Sequence, residues 1–256
     1  MRFKLFCAGV IGLASLAVSS PAHAQAAAAT PAQGTNQQPR PGNARESDAP
    51  PTVEQMQRAV SRLRGGRIER PKSYEALTPE QKRYVNGILS GPRGDISGPL
   101  SVMLVSPDLG DVTQRAMAFA RFSGREGYSS VTPKYSELGI LMVARLWSSE
   151  YVWNAHNRYA MNVGLPADVV EAIRLGKRPA QMDKDVEAVY NFANEFLTTK
   201  KVSDATFQAA RTVLGGDRAV VDLTGTMGLY QISSMLVVLD QTPLAEGAKP
   251  ALPPLN

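Results

Sequence analysis

Thiols and imidazoles are nearly missing from this 256-residue chain, which has one cysteine, Cys7, and two histidines, His23 and His156. Cys7 and His23 both fall in the first 24 residues, and that stretch has the form of a cleavable signal peptide. Arg2 and Lys4 give it a positive start, and Leu5 to Val18 is an apolar run shorter than the ~20 residues of a membrane span. Ala22-His23-Ala24 is a small-x-small cleavage site. Phe6 stands before Cys7, where a lipoprotein signal has a small residue, so no lipid anchor is expected. The exported chain is expected to start at Gln25, in the periplasm or outside the cell, with one imidazole and no thiol. Disulfides and cysteine nucleophiles are thereby excluded, and stability has to come from core packing. One histidine without cysteine is also too small a ligand set for a zinc-type centre.

Long runs of one charge are lacking as well. Loss of Arg2 and Lys4 with the signal lowers the formal +5 to +3. Arg58, Arg62, Arg64, Arg67 and Arg70 are interspersed with Glu54 and Glu69, the pattern of a solvated or partner-facing helix face and not of a nucleic-acid patch. Residues 25–52 are rich in Ala, Pro, Gln and Asn, with nothing apolar to bury, and are expected to form a disordered leader. One folded domain is expected over 53–245, enough chain to close a single core, followed by a flexible tail at 246–256.

What remains is helical in pattern throughout, with neither strand alternation nor repeats of comparable strength. Thr78-Pro79-Glu80-Gln81 combines an N-cap, a proline at the first helical position and a capping-box glutamine. Two glycine-proline pairs make 91–99 a loop, and Ser106-Pro107 opens a helix carrying Met117, Phe119 and Phe122. Residues 134–146 are apolar around most of their circumference, which marks a central helix with Glu137 as its polar exception. Gly164-Leu-Pro166 stops the helix that holds His156, and further helices are expected at 167–175 and 183–197, with Ser203 capping another. The last apolar block, Ala219 to Leu239, is interrupted by Asp222, Thr224, Thr226, Gln231, Ser233 and Ser234. It is expected in the core or at an oligomer interface and not in a membrane; Gly225 and Gly228 would let backbones approach closely.

Glu137 and His156 are 19 residues apart, which on one unbroken helix means about 28 Å. Ser148 and Ser149 supply a break between two periodic segments, since serine is a favoured N-cap. Folded there as an antiparallel hairpin, the chain brings the carboxylate level with the imidazole.

The segment Glu137-x-x-Ile-Leu-x-Val-Ala-Arg145-Leu-Trp-x-Ser-Glu150-Tyr151-x-Trp153-x-x-His156, with Ala160, Gly164-Leu-Pro166 and Ala172-Ile173 after it, resembles the carboxymuconolactone decarboxylase family, which includes alkyl hydroperoxidase D. Leu77-Thr-Pro-Glu-Gln81, Gly91-Pro-Arg93-Gly and Leu104-x-Ser-Pro107 extend the resemblance toward the N-terminus, and Val202 to Phe207 with Leu223 to Tyr230 extend it toward the C-terminus. It implies an all-α, alkyl hydroperoxidase D-like bundle of packed helical hairpins, assembled as homotrimers or hexamers with sites near subunit interfaces. In the hydroperoxidase branch a glutamate, a Cys-x-x-Cys and a histidine form a proton relay. Aligned on Glu137 and His156, the cysteine positions fall on Ser149 and Val152, so thiol-based peroxide reduction is excluded. The chain resembles the cysteine-free branch, with Tyr-x-Trp-x-x-His at that turn.

That branch uses acid-base chemistry on a lactone acid and needs neither metal nor organic cofactor. Glu137 and His156 are the candidate catalytic pair. Ser149, Tyr151 and Trp153 are candidate substrate contacts on the histidine helix, and Arg93 or Arg145 could take a carboxylate bidentately. Three functions stay open: an enzyme acting on a small organic acid or lactone, a non-catalytic periplasmic oligomer that binds a hydrophobic small molecule, and a peroxide-defence protein, which the missing thiols disfavour. A Glu137/His156 pair that merely fixes helix register, or a Glu137 paired with Arg145, is the plain structural alternative.

Overall fold

The structure, a computed structural model, describes residues 50–255. The expected signal peptide at 1–24 and nearly all of the expected leader at 25–52 lie outside the described residues. Within them the chain is helical, with no strand: α1 (Val53–Ser61), α2 (Pro79–Leu89), α3 (Pro99–Val102), a 3₁₀ turn (Met103–Val105), α4 (Pro107–Arg121), α5 (Pro133–Leu146), α6 (Glu150–Asn162), α7 (Ala167–Arg174), α8 (Lys184–Thr199), α9 (Asp204–Leu214) and α10 (Asp217–Asp240). The all-α class and the helical hairpins, α5/α6 and α8/α9, are as the sequence implied.

Local signals account for most of the helix ends. The Thr78 hydroxyl accepts from the Gln81 N–H while the Gln81 side chain accepts from the Thr78 N–H, and Thr52 and Gln55 form a second such box at α1. Ser203 caps α9 through the Thr206 N–H. Gly164, at φ +95°, closes α6 in the left-handed conformation that favours glycine. There the Gly164 N–H donates to Met161 and the Leu165 N–H to Ala160.

Two apolar clusters form the core. Residues of α5 to α10 build the larger, around Leu138, Leu141, Val143, Trp153, Val189 and Leu223. Residues of α1 to α4 build the smaller, around Tyr84, Val85, Ile88 and Leu104. Leu229 of α10 packs against both, so the longest helix is common to the two. The apolar circumference of 134–146 has its expected consequence: every residue of α5 from Ser136 to Arg145 is buried. At Gly139 α10 packs closely on α5. A Cβ there would stand 3.1 Å from Leu223 and 3.2 Å from Met227.

Two expectations are corrected. Arg70 does not belong to a solvated basic face: its side chain is 3% exposed and its Nη2 donates to Asp240 Oδ2 at 2.7 Å. The C-terminal segment is not a loose tail, because the Glu150 carboxylate accepts the N–H groups of Ala251 and Leu252 at 2.8 and 2.9 Å. Arg174 Nη1 also donates to the Ala251 carbonyl, and Ala251 and Leu252 pack on the larger cluster. Low local hydrophobicity foretold neither contact, since both partners come from distant sequence. Glu150→Ala is expected to lower stability by about 1–2 kcal/mol, two charge-assisted hydrogen bonds being lost at a half-buried site. Hydrogen exchange should report it selectively: protection lost at Ala251 and Leu252 and kept in α5 would match, and unchanged protection there would refute the tether.

Candidate active site

The α5/α6 turn decides whether the carboxylate and the imidazole meet. The break comes at Ser148 and Ser149 as expected, but by a different device. Ser148 takes the left-handed conformation at φ +45°, its N–H donates to Arg145, and the Ser149 N–H donates to Ala144. This is the paired hydrogen-bond pattern that glycine usually terminates. Ser149 is the N-cap residue of α6, yet its side chain makes no capping bond. Its hydroxyl is buried without a hydrogen-bond partner among the described residues. Ser148→Gly is therefore expected to stabilise the protein by up to about 1 kcal/mol, relief of left-handed strain exceeding the entropic cost of glycine. A lowered melting temperature would contradict that account of the turn.

Across this hairpin His156 Nδ1 lies 2.7 Å from Glu137 Oε2. Glu137 is fully buried and His156 is 4% exposed. With Glu137 ionised, the Nδ1–H donates to the carboxylate, which fixes the neutral ring in the tautomer with its lone pair on Nε2. The pair can thus hold a proton at one ring nitrogen and exchange it at the other. Sequence reasoning missed the third component, Tyr230 of α10. Its ring meets the imidazole edge-to-face, centroids 4.9 Å apart and planes at 88°. The spacing Leu223, Met227, Tyr230, Ser234, Val237 marks an inward helix stripe and was the available signal. It shows that Tyr230 faces the core but not which side chain it meets.

Ser149, Tyr151 and Arg145 are not brought to that pair. Ser149 begins α6 and Tyr151 belongs to its first turn, seven and five residues before His156, or about 10 and 8 Å along the helix axis. Both line an open cleft of about 300 Å³ between this helix start and the end of α10, together with Ser148, Glu150, Val237, Val238, Gln241 and Thr242. Neither Glu137 nor His156 lines it. The Tyr151 ring lies under the 91–98 loop. Gly98 is at φ +53°, and a Cβ there would come within 2.4 Å of the ring. Burial pushes the Tyr151 hydroxyl up; the hydrogen bond with Ser97 and the Arg121 charge pull it down, and Asp95 adds to the rise. Trp153 is 1% exposed within the larger core cluster and is a packing residue, not a wall of the cleft.

The two arginines belong to different parts of the fold. Arg93, half-buried in the loop before α3, has its charge beside the Tyr84 hydroxyl. Arg145 is eight residues beyond Glu137, about 12 Å further along α5. It is buried beside Gly176, close to where the Leu255 side chain packs. Burial pushes the Arg145 guanidinium down, Glu150 raises it and Arg174 lowers it. A Glu137–Arg145 pair is thus replaced by Glu137–His156. Among the described residues, no group of three or more His, Cys, Asp or Glu side chains is placed to hold a metal ion, and no helix is long and apolar enough to cross a membrane.

No protein-family model and no curated protein matches this sequence. Among solved structures, one from Silicibacter sp. TM1040, described as an uncharacterized peroxidase-related protein, superposes with a TM-score of 0.57 at 14% sequence identity. The match covers 72% of this chain and 94% of that one. At that identity the similarity is one of fold: this chain has the helical architecture of a peroxidase-related protein.

Proposed function

We propose that the protein is a cysteine-free, carboxymuconolactone decarboxylase-like enzyme that moves a proton on a small organic acid or lactone, with Glu137 and His156 as its relay. The buried 2.7 Å contact between Nδ1 and Oε2 carries this proposal. It joins the two residues that match the family's relay, across the hairpin that the family's fold requires. Nε2 of His156 exchanges the proton with substrate, while Glu137 holds the ring tautomer and balances the imidazolium. Ser149 and Tyr151 line a cleft onto which neither Glu137 nor His156 opens, so they are not contacts to the reacting group in this proposal. Arg145, about 12 Å further along α5 than Glu137, is left out of it. Peroxide defence by a thiol pair lacks its second thiol, since Cys7 is the only cysteine in the chain. Export through cleavage after Ala24 completes the proposal, and mass spectrometry of the secreted form tests it directly: a retained Met1 in the membrane fraction would sink it.

The chemistry is tested by solvent exchange. Small lactone acids incubated with the protein in D₂O should take up deuterium next to the carbonyl, followed by NMR, and His156→Ala should abolish the uptake. A panel of such acids left unexchanged by wild type would reject the assignment. One observation favours a second function, a non-catalytic oligomer in which the pair fixes helix register: both side chains are buried and neither lines the cleft. In that case His156→Ala would lower the melting temperature and leave ligand affinity unchanged.

A further inference from the structure

α10 has an outer face that no other element of the described residues covers. Val221, Gly225, Ile232, Met235 and Leu239 are exposed and Gly228 is half-exposed. They recur at alternating steps of four and three, the seam of a helix that pairs with another helix. The core-facing residues Leu223, Met227, Tyr230 and Val237 lie on the opposite side. A Cβ added at Gly225 or Gly228 would meet nothing within 4 Å, so both glycines open directly outward.

We infer that this seam binds the same seam of a second copy, antiparallel, about a two-fold axis level with Tyr230. The sequence of the seam is self-complementary in that register. Val221 faces Leu239 of the other copy, Gly225 faces Met235, and Gly228 faces Ile232, so each gap left by a glycine receives a large side chain. A parallel pair would instead set glycine against glycine and leave two voids. Charge agrees with the register. Between Ala219 and Leu239 the only charged residue is Asp222, whose carboxylate is held by Ser130, so two copies meet without repulsion. Arg218, 74% exposed in its side chain, comes level with the C-terminal end of the opposite α10, where the helix dipole is negative. The family resemblance allows trimers or hexamers; this two-fold seam selects assemblies with an even number of copies, a dimer or a hexamer. The inference rests on α10 alone and is independent of the proposed chemistry.

Light scattering of the full chain should return an even multiple of the monomer mass, and a monomer or trimer would overturn the proposal. Orientation is read by cross-linking in a Cys7→Ser background. Val221→Cys and Leu239→Cys should each fail to link alone, because like positions in the antiparallel pair are separated by about 27 Å. A mixture of the two should form the disulfide-linked pair. Self-linking of Val221→Cys, or no link in the mixture, would refute the register. Gly228→Leu separates folding from pairing: the monomer has open space for the new side chain, yet the site that Ile232 of the other copy fills is blocked. Helicity is expected to hold while the dissociation constant rises at least tenfold; an unchanged assembly would count against the seam.

Discussion

Arg70→Ala is expected to cost about 3–5 kcal/mol, the loss that follows when one partner of a buried ion pair is left without the other. Asp240 is fully buried at the end of α10 and gathers several donors. Arg70 Nη2 donates to Oδ2 at 2.7 Å, the Ile68 N–H to Oδ1 at 2.9 Å and the Thr242 hydroxyl to Oδ2 at 2.6 Å. The Asp240 carbonyl accepts the Arg67 N–H at 2.6 Å. Gly66 lies against the same carbonyl, and a Cβ there would come within 1.9 Å of it. The segment after α1 is thus stapled to the end of α10, where the smaller core cluster depends on Leu229 and Leu236. Against a typical total of about 5–15 kcal/mol, such a loss brings the protein near its unfolding threshold.

The same staple sets an acid limit. Burial raises the Asp240 carboxyl, but the hydrogen bonds from Arg70, Thr242 and Ile68 and the Arg70 charge outweigh it, holding the group below its ordinary 3.8. A carboxyl depressed in the folded state contributes stability that is complete above its unfolded value and lost as the pH falls through the folded one. Wild type should therefore weaken in acid below about pH 4, and Arg70→Ala should show a shallower dependence there. Urea titrations at neutral and acidic pH check both statements. Arg70→Met with Asp240→Leu should cost much less than Arg70→Ala alone, because no charge is left buried. An Arg70→Ala loss under ~1 kcal/mol would place the pair among weak surface bridges.

His156→Ala and Glu137→Gln are each expected to slow turnover by about 100-fold or more, within the range of general acid-base contributions. Glu137→Gln is the sharper test. Glutamine keeps the size of the side chain and can accept the Nδ1–H, but it carries no charge to balance an imidazolium. His156 is the only histidine after residue 23, so the imidazole signals of a histidine-labelled protein beginning at Gln25 belong to this ring alone. Its NMR titration should shift to lower pH in Glu137→Gln, as loss of the carboxylate disfavours the protonated ring. The two variants acting on one relay should be non-additive. Additive losses, or a titration unmoved by Glu137→Gln, would argue that the residues do not share a proton.

Whatever depends on a few adjacent residues was legible before any folding was known. The Thr78-Gln81 box, the Ser203 cap and the Gly164 stop use hydrogen bonds that close within one helical turn, so residue type and spacing sufficed. The meeting of Glu137 with His156 was also legible, because a short turn between two periodic segments leaves an antiparallel hairpin few registers. Ser149 was misjudged in detail, as the turn is made by Ser148 in a left-handed conformation that serine does not advertise. The remaining contacts depend on how distant helices pack. Arg70 and Asp240 are separated by 170 residues; that pairing, the docking of 251–252 on Glu150 and the placing of Tyr230 on His156 arise when remote helices come together around a shared core. Arg145 had the right chemistry for a carboxylate, yet its position about two turns beyond Glu137 on α5 removed it from the pair. The period of α10 was present in its sequence, but it did not tell which apolar stripe would be buried. α5 covers the stripe carrying Leu223 and Met227, and no helix of the described chain covers the one carrying Val221, Ile232 and Leu239, because only the packing of the whole chain determines where apolar surface remains open to water.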